Sequence, residues 1–248
     1  MGESDRLITF FTGDYGKISA IAKGAKRSKK RFVNALEPFT CLHLSYAPSR
    51  SGGLGRIDSV EIMESYPLIR SSFDSYCMAS LCCELTDKWM KESDPNIKVF
   101  YLIRWLLKAL SCGQDAGRPA LFFKTKLLKY AGYAPDWTRC CVCKKNIKRY
   151  SGKAKIHESG FLCASCLNGK NNASFINFGV LMTLEHIHRN SLDVLHKLAI
   201  TDKVYNEAWY IMRHLHCYHL QTVPVSYGVM SNFKLLTNLS DGTIREVH

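Results

Sequence analysis

The period of the hydrophobic and polar positions changes near residue 70. Before that point, short β-branched and aromatic runs alternate with turn residues such as GDYG at 13–16 and SGGLG at 51–55. The predicted strands are LITFFT, KISAIAKG, TCLHLSYA and RIDSVEIM. Several short strands at this spacing are typical of a small antiparallel barrel or sandwich.

After residue 70 the apolar residues recur at helical spacing. In SSFD, Ser71 has the position of an N-cap residue. The predicted helices are a segment from Phe73 to Trp89, IKVFYLIRWLLKAL, ALFFKTKLLKYAG behind Arg118-Pro119, FGVLMTLEHIHRN, LDVLHKLAI and TDKVYNEAWYIMRHLHCYHL. We therefore predict an α+β protein, with a strand domain at 1–66 and a helical domain at 67–248 that contains a cysteine-rich insertion at about 137–170.

Composition and charge narrow the classes of function. The chain has 34 Lys and Arg against 21 Asp and Glu, a formal net charge of +13. This excess favours a polyanionic partner, with nucleic acid ahead of an anionic membrane surface and a general solubility bias as the alternative. The N-terminal residues lack a signal peptide pattern, and no apolar run is long enough to span a membrane. Eleven cysteines, an odd number, then indicate a reducing compartment without a disulfide framework.

Four of these cysteines form two Cys-x-x-Cys pairs. Cys140 and Cys143 precede Cys163 and Cys166 by a spacer of 19 residues, which fits the separation of roughly 15–20 residues in zinc ribbons. Four thiolates close a tetrahedral site, so the predicted zinc is structural, one ion per chain, with no position left for a catalytic water. Cys141 would be a bystander. The spacer contains KIHESGFL, which predicts a hairpin with its turn at Ser159-Gly160.

Two segments are basic and free of acids. Residues 23–31, KGAKRSKKR, contain six cations and are called the basic loop below. Residues 139–155 contain seven more cations, spread over the predicted zinc unit. A single run of this kind is most often a solvated surface, but two separate clusters favour contacts with phosphates. Tyr15 and Phe32, which flank the basic loop, are the better candidates for stacking on unpaired bases; Phe10 and Phe11 are expected in the core.

The residues GESDRLITFFTGDYGKISAIAKGAKRSKKRF, LEPFTCLHLSY and GLGRIDSVEIM resemble the RecO family of bacterial recombination mediators. The order of the parts also resembles that family: an N-terminal OB-type barrel, a helical domain and a four-cysteine zinc unit. Family members carry a strand before the G-E-x-D-R motif. An OB barrel has five strands, and only four are predicted here, so the first strand of the barrel is expected to be missing.

The resemblance implies a non-enzymatic mediator of DNA repair and homologous recombination in the bacterial cytoplasm, associated with the nucleoid. It implies sequence-independent binding of single- and double-stranded DNA, annealing of complementary strands, and loading of RecA together with RecR. It also implies binding of the C-terminal tail of the single-stranded-DNA-binding protein. The DNA-binding residues that the resemblance implies are Lys17, Lys23, Lys26, Arg27, Lys29, Lys30 and Arg31. The basic segment after the first cysteine pair adds Lys144 and Lys145 as candidates. For the tail, the helices after Phe178 offer Arg189, Lys197 and Arg213 as candidates.

Two other classes of function remain open. A zinc-ribbon module that binds RNA or associates with transcription would have a similar charge. An enzyme acting on nucleic acid is disfavoured, because the chain lacks paired carboxylates with metal spacing, a glycine-rich phosphate loop and a nucleophile elbow. His216 and His219 are three residues apart on a predicted helix but have no evident third ligand, so we expect them to be solvated or hydrogen-bonded.

Overall fold

The computed structural model describes residues 2–49, 53–113, 115–150, 153–167 and 175–232. The chain divides into two compact units, Met1–Ala116 and Gly117–His248. The α+β class is confirmed: the first unit contains a sheet followed by helices, and the second contains helices with an inserted small sheet. Among the described residues, no helix combines the length and the apolar character that crossing a membrane requires.

The first unit begins with a four-stranded sheet in the order β1-β2-β4-β3. Its strands are β1 (Arg6–Thr12), β2 (Gly16–Ala22), β3 (Thr40–Ala47) and β4 (Gly55–Ser65). β1 with β2, and β3 with β4, form antiparallel pairs. The two pairs are joined by a short parallel contact in which Ala20 and Ile21 lie opposite Gly55 and Arg56. This parallel pairing was not predicted, and it leaves β1 and β3 at the two edges of the described sheet.

The core of this sheet lies on one face of β2, whose residues alternate strictly between buried and partly exposed. Ala20 and Ala22 pack there with Leu36 and Ile57. Phe32 belongs to the same cluster and is only 5% exposed. The expectation that Phe32 stacks on bases is therefore wrong: the chain returns to the sheet directly after the basic loop, and the ring is used for packing.

After the sheet, the described part of the first unit contains the helices α1 (Pro67–Ser71), α2 (Phe73–Trp89) and α3 (Ile97–Cys112). The N-cap residue of α2 lies one position later than predicted: Ser72, rather than Ser71, accepts a hydrogen bond from the Ser75 N–H. Gly16 shows why the start of β2 needs glycine. It has a φ of 67°, and a Cβ atom there would lie 2.3 Å from the Asp94 carbonyl oxygen, in the connection between α2 and α3.

The second unit is built around α4 (Gly117–Tyr130), α6 (Phe178–Arg189) and α8 (Asp202–Leu220), which pack against one another. Trp209 and Met212 of α8 are fully buried, as their helical spacing predicts. Three further helices are short: α5 (Ile147–Tyr150), α7 (Leu192–Leu195) and α9 (Val225–Asn232). The prediction of a longer helix in LDVLHKLAI is wrong, since only its first turn is helical.

The inserted sheet has the order β6-β5-β7, with β5 (Lys153–His157), β6 (Gly160–Cys163) and β7 (Ile176–Asn177). β5 and β6 form the predicted hairpin, but its turn lies one residue earlier than expected. His157 is opposite Gly160, so Glu158 and Ser159 make the turn, and Glu158 takes the left-handed conformation with a φ of 45°. The predicted division into domains at residue 66 stays a prediction; α1, α2 and α3 belong to the same compact unit as the first sheet.

Candidate nucleic-acid interface and metal centre

The structure brings the four predicted cysteine ligands together. The sulfur atoms of Cys140, Cys143, Cys163 and Cys166 all lie within 4.8 Å of one another. The sulfurs of Cys143 and Cys163 are 3.7 Å apart. A tetrahedral ion with metal–sulfur bonds of about 2.3 Å requires sulfurs about 3.8 Å apart, so this spacing suits a single ion held by four thiolates.

Backbone hydrogen bonds shape the first cysteine pair. The Cys140 N–H donates to the Lys145 carbonyl over 3.0 Å, and the Lys144 N–H donates back to the Cys140 carbonyl over 3.0 Å. Lys144 takes a φ of 60°, which turns the chain after Cys143. Trp137, three residues before Cys140, is 1% exposed, and its ring centroid lies 5.8 Å from that of Phe161. Trp137 and Phe161 thus form an aromatic contact, which we call the ribbon core.

The thiols of the cluster differ in acidity. Burial raises the pKa of Cys140, but backbone N–H groups of Cys163, Cys143 and Val142 donate to its sulfur and lower the pKa to about 6. Hydrogen bonding with the Cys143 thiol raises the pKa of Cys166 to about 12. The backbone therefore favours the thiolate of Cys140, whereas the hydrogen bonds within the cluster favour the thiol of Cys166.

Cys141 lies outside the cluster. Its N–H donates to the Phe161 carbonyl over 2.8 Å, which fixes the first pair against β6. Burial raises the pKa of its thiol. Its backbone, rather than its sulfur, thus contributes to the arrangement.

The basic loop follows β2 and contains one turn of 3-10 helix at Ala25–Arg27. Two of its cations fold the loop itself. Lys26 donates through Nζ to the Glu3 carbonyl over 3.0 Å, and Arg31 donates through Nη2 to the Lys23 carbonyl over 3.1 Å. These side chains reach backbone carbonyls rather than carboxylates, so the loop is ordered without loss of its positive charge.

Besides exposed Lys23, whose charge helps to lower the pKa of Asp5, three other cations of the loop face solvent. Arg27, Lys29 and Lys30 are exposed, and within the described segments none of them forms an ion pair. Tyr15, in the turn between β1 and β2, is 68% exposed. The loop thus offers charge that other parts of the described structure do not neutralise.

Lys17, the predicted DNA-binding residue in β2, differs from these cations. Its Nζ lies 3.3 Å from a carboxylate oxygen of Asp87 and donates to the Asp87 carbonyl over 2.7 Å. Its side chain is only 16% exposed. The sequence gives no sign of this pairing, because the two residues are 70 positions apart.

The remaining predicted cations lie in the second unit. Lys144 and Lys145 are exposed beside the cysteine cluster. Arg189 pairs with Glu185 one turn earlier in α6, and both line a cavity of about 540 Å³ together with Met182 and Leu198. Lys197 is exposed next to Leu198.

Arg213 is placed differently from the other two candidates for tail binding. Its guanidinium lies 5.2 Å from the centroid of the Tyr227 ring, and it is not among the residues that line this cavity. The structure therefore does not gather Arg189, Lys197 and Arg213 around one opening.

Sequence reasoning missed one residue that orders the basic loop. The carboxylate of Asp5 accepts hydrogen bonds from the Gly24 N–H over 2.9 Å and from the Gly2 N–H over 2.7 Å. The only signal in the sequence is its place in G-E-x-D-R, directly before β1.

Comparison with known proteins gives a consistent result along the chain. The family model described as recombination protein O N terminal matches residues 1–66, and the one described as recombination protein O C terminal matches residues 70–226. A DNA repair protein RecO from Syntrophus aciditrophicus is 36% identical over 167 residues, which are 66% of this chain and 64% of that protein. A DNA repair protein RecO from Caldanaerobacter subterraneus subsp. tengcongensis is 30% identical over 211 residues, covering 84% and 83%.

Proposed function

The chain belongs to the RecO family of DNA repair proteins, and on that premise we propose that it is a non-enzymatic mediator of DNA repair and homologous recombination. In this proposal it binds single- and double-stranded DNA without sequence preference and anneals complementary strands. With RecR it helps to load RecA onto DNA coated by the single-stranded-DNA-binding protein. The protein would act in the bacterial cytoplasm at the nucleoid.

The proposal of DNA binding is supported mainly by the exposed positive charge of the basic loop. Arg27, Lys29 and Lys30 are exposed and form no ion pair within the described residues. Cations of this kind release condensed counterions when they neutralise phosphates, which supplies affinity that does not depend on sequence. Lys23, Lys26 and Arg31 add to the positive electrostatic potential of the loop. We assign Lys17 a smaller contribution to DNA binding, because its ammonium group is paired with the carboxylate of Asp87.

Annealing follows from neutralisation of phosphates on two strands. Two complementary strands repel each other until cations screen their backbones, and then pairing of the bases is favourable. The basic loop offers one such surface, and Lys144 and Lys145, beside the cysteine cluster, offer another. Tyr15 is exposed in the turn at the opposite end of the β1–β2 hairpin from the loop, so it is a separate candidate for stacking on an unpaired base.

The cysteine cluster would hold one zinc ion with a structural role. The four sulfurs have the spacing of a tetrahedral thiolate site. When bound, zinc would offset two of the four thiolate charges and cross-link the first cysteine pair to β6 and the turn that follows it. The chain itself then keeps Lys144 and Lys145 at a fixed distance from the ribbon core formed by Trp137 and Phe161.

For the acidic, hydrophobic-ended tail of the single-stranded-DNA-binding protein, we favour the cavity on α6. It combines the apolar side chains of Met182 and Leu198 with the guanidinium of Arg189, which an acidic tail would have to share with Glu185 of the same lining. Replacing Arg189 with Glu should weaken binding of a labelled tail peptide by at least about tenfold, since a paired charge becomes a repulsive one. Arg213→Glu is the matched change outside this cavity, and a larger loss there would move the tail site to α8.

The main experiment measures binding and annealing directly. Labelled single-stranded DNA and RNA of equal length and sequence are titrated between 50 and 200 mM salt, and annealing of complementary DNA strands is followed by quenching of a fluorophore pair. We expect affinity for DNA to fall steeply with salt. Affinity that is flat with salt would reject phosphate neutralisation as the mechanism. A strong preference for RNA would support an RNA-binding zinc-ribbon module instead.

A further inference from the structure

The G-E-x-D-R segment lies at the open end of the β1–β2 hairpin. Residues 2–5 form a turn in which the Asp5 N–H donates to the Gly2 carbonyl over 3.0 Å. β1 starts at the next residue, where Arg6 is opposite Ala22, the last residue of β2. Asp5 thus precedes the first strand at the point where the chain leaves the second strand for the basic loop.

The carboxylate of Asp5 bonds to the backbone on both sides of this opening. One oxygen accepts from the Gly24 N–H over 2.9 Å, and the other accepts from the Gly2 N–H over 2.7 Å. Charge-assisted hydrogen bonds of this type are stronger than neutral ones. They also hold the pKa of Asp5 below its usual value, with the Gly24 N–H as the larger cause, so the group is ionised at neutral pH.

Gly24 sets the direction in which the chain leaves β2. Its φ is 67°, and it is the residue from which the chain turns into the 3-10 helix at Ala25–Arg27. Two more hydrogen bonds join this 3-10 helix to the turn at residues 2–5: the Lys26 N–H donates to the Ser4 carbonyl, and Lys26 Nζ donates to the Glu3 carbonyl, both over 3.0 Å. The start of the basic loop is therefore attached to residues 2–5 at three successive points.

We propose that Asp5 is a positioning residue for nucleic-acid binding, whose carboxylate fixes the start of the basic loop so that Arg27, Lys29 and Lys30 face the phosphates together. This inference rests on the proposed binding of DNA by the loop. It makes a prediction opposite in sign to simple electrostatics. Removal of an acid beside a basic surface should strengthen binding of a polyanion, but removal of Asp5 should weaken it.

Glu3 provides a matched control in the same turn. Its side chain is exposed, and only its backbone carbonyl contributes to the loop, as the acceptor for Lys26. Glu3→Ala and Asp5→Ala each remove one carboxylate at nearly the same place. Only Asp5→Ala removes the hydrogen bonds to Gly24 and Gly2. Asp5→Asn, which keeps one acceptor oxygen, should give an intermediate result.

The experiment measures the affinity of the full chain for labelled single-stranded DNA at four salt concentrations. At 0.1 M salt, one phosphate contact on a single strand corresponds to about fivefold in affinity. We therefore expect Asp5→Ala to bind about fivefold more weakly, with a salt slope shallower by about 0.7, whereas Glu3→Ala binds as tightly as wild type or slightly tighter. Hydrogen exchange of the Gly24 amide should be faster in Asp5→Ala only.

Two outcomes would overturn the proposal. If Asp5→Ala gains affinity as Glu3→Ala does, or loses affinity with an unchanged salt slope, the carboxylate does not position the loop cations. A triple variant, Arg27→Gln with Lys29→Gln and Lys30→Gln, separates this failure from that of the function. If the triple variant binds like wild type, the loop does not bind DNA and both proposals fail. All binding is measured at a temperature where circular dichroism shows each variant fully folded; if Asp5→Ala is unstable there, Asp5→Asn takes its place.

Discussion

The number of phosphates that the basic loop neutralises can be predicted from the side chains that remain in solvent. Of its six cations, Lys26 and Arg31 bond to backbone carbonyls, and the charge of exposed Lys23 acts on the carboxylate of Asp5. The other three, Arg27, Lys29 and Lys30, are exposed without an ion pair in the described part of the chain. If each of these three contacts one phosphate, replacing all three with Gln removes about 2 units from the slope of log affinity against log salt, at about 0.7 per contact.

The same reasoning gives the loss of affinity at each salt concentration. Three contacts correspond to roughly 500-fold at 50 mM salt, roughly 130-fold at 100 mM and roughly 30-fold at 200 mM. The triple Gln variant should therefore differ most from wild type at low salt. Fluorescence anisotropy of a labelled oligothymidylate at these concentrations measures both the affinity and the slope. The thermal melt should stay nearly unchanged, since exposed substitutions of this kind alter stability by at most about 0.5 kcal/mol.

Lys17→Gln is the control, because it removes one cation of the same first unit that is paired with Asp87. Its slope should fall by less than the roughly 0.7 expected for each exposed cation of the loop. The salt slope lost per removed cation can be compared between Lys17→Gln and the triple variant. An equal loss would show that burial and ion pairing do not decide which cations contact DNA. A triple variant with the wild-type slope would refute the assignment of the loop itself.

Three further predictions concern the cores and the cysteine cluster. Phe32→Ala should lower the free energy of unfolding by about 3–5 kcal/mol, as for other buried aromatic rings, which a denaturant melt measures; a normal melt with weakened DNA binding would instead indicate base stacking. Cys163→Ser should lose the bound zinc equivalent and lower the melting temperature of the protein, whereas Cys141→Ser should retain the metal in a chelator-release assay, and metal loss from Cys141→Ser would contradict the four-ligand set. Burial lowers the pKa of His216 well below its usual value, so protonation favours the unfolded state. The free energy of unfolding should therefore fall by about 1.4 kcal/mol between pH 7.5 and 5.5 because of this residue. His216→Gln should remove that part of the decline in denaturant melts, and an unchanged decline would refute the assignment to His216.

Local signals in the sequence account for much of the fold. The caps and apolar periods of α3, α6 and α8 are contained in consecutive residues, so their positions were predicted within a few residues. The cysteine cluster was predictable for a similar reason, since each Cys-x-x-Cys pair sets its own geometry and needs only one hairpin to meet the other.

The features that were not predicted depend on distant partners. The parallel contact of Ala20 with Gly55 joins β2 and β4, which are separated along the chain by β3. Neither strand contains a pattern that indicates which strand lies beside it. Phe32 follows six cations in the sequence, so its burial depends on the return of the chain to the sheet. The pairing of Lys17 with Asp87 likewise exists only after folding.

The way in which the basic loop is ordered explains how it can be both fixed and strongly charged. Ion pairs with carboxylates would order the loop but would neutralise the cations that are needed for phosphates. Here Lys26 and Arg31 use carbonyl oxygens, and the carboxylate of Asp5, at the start of the loop, bonds to backbone N–H groups. The loop therefore keeps its charge while losing conformational freedom before DNA arrives, which reduces the entropy cost of binding. A basic segment that was merely solvated would need none of these contacts.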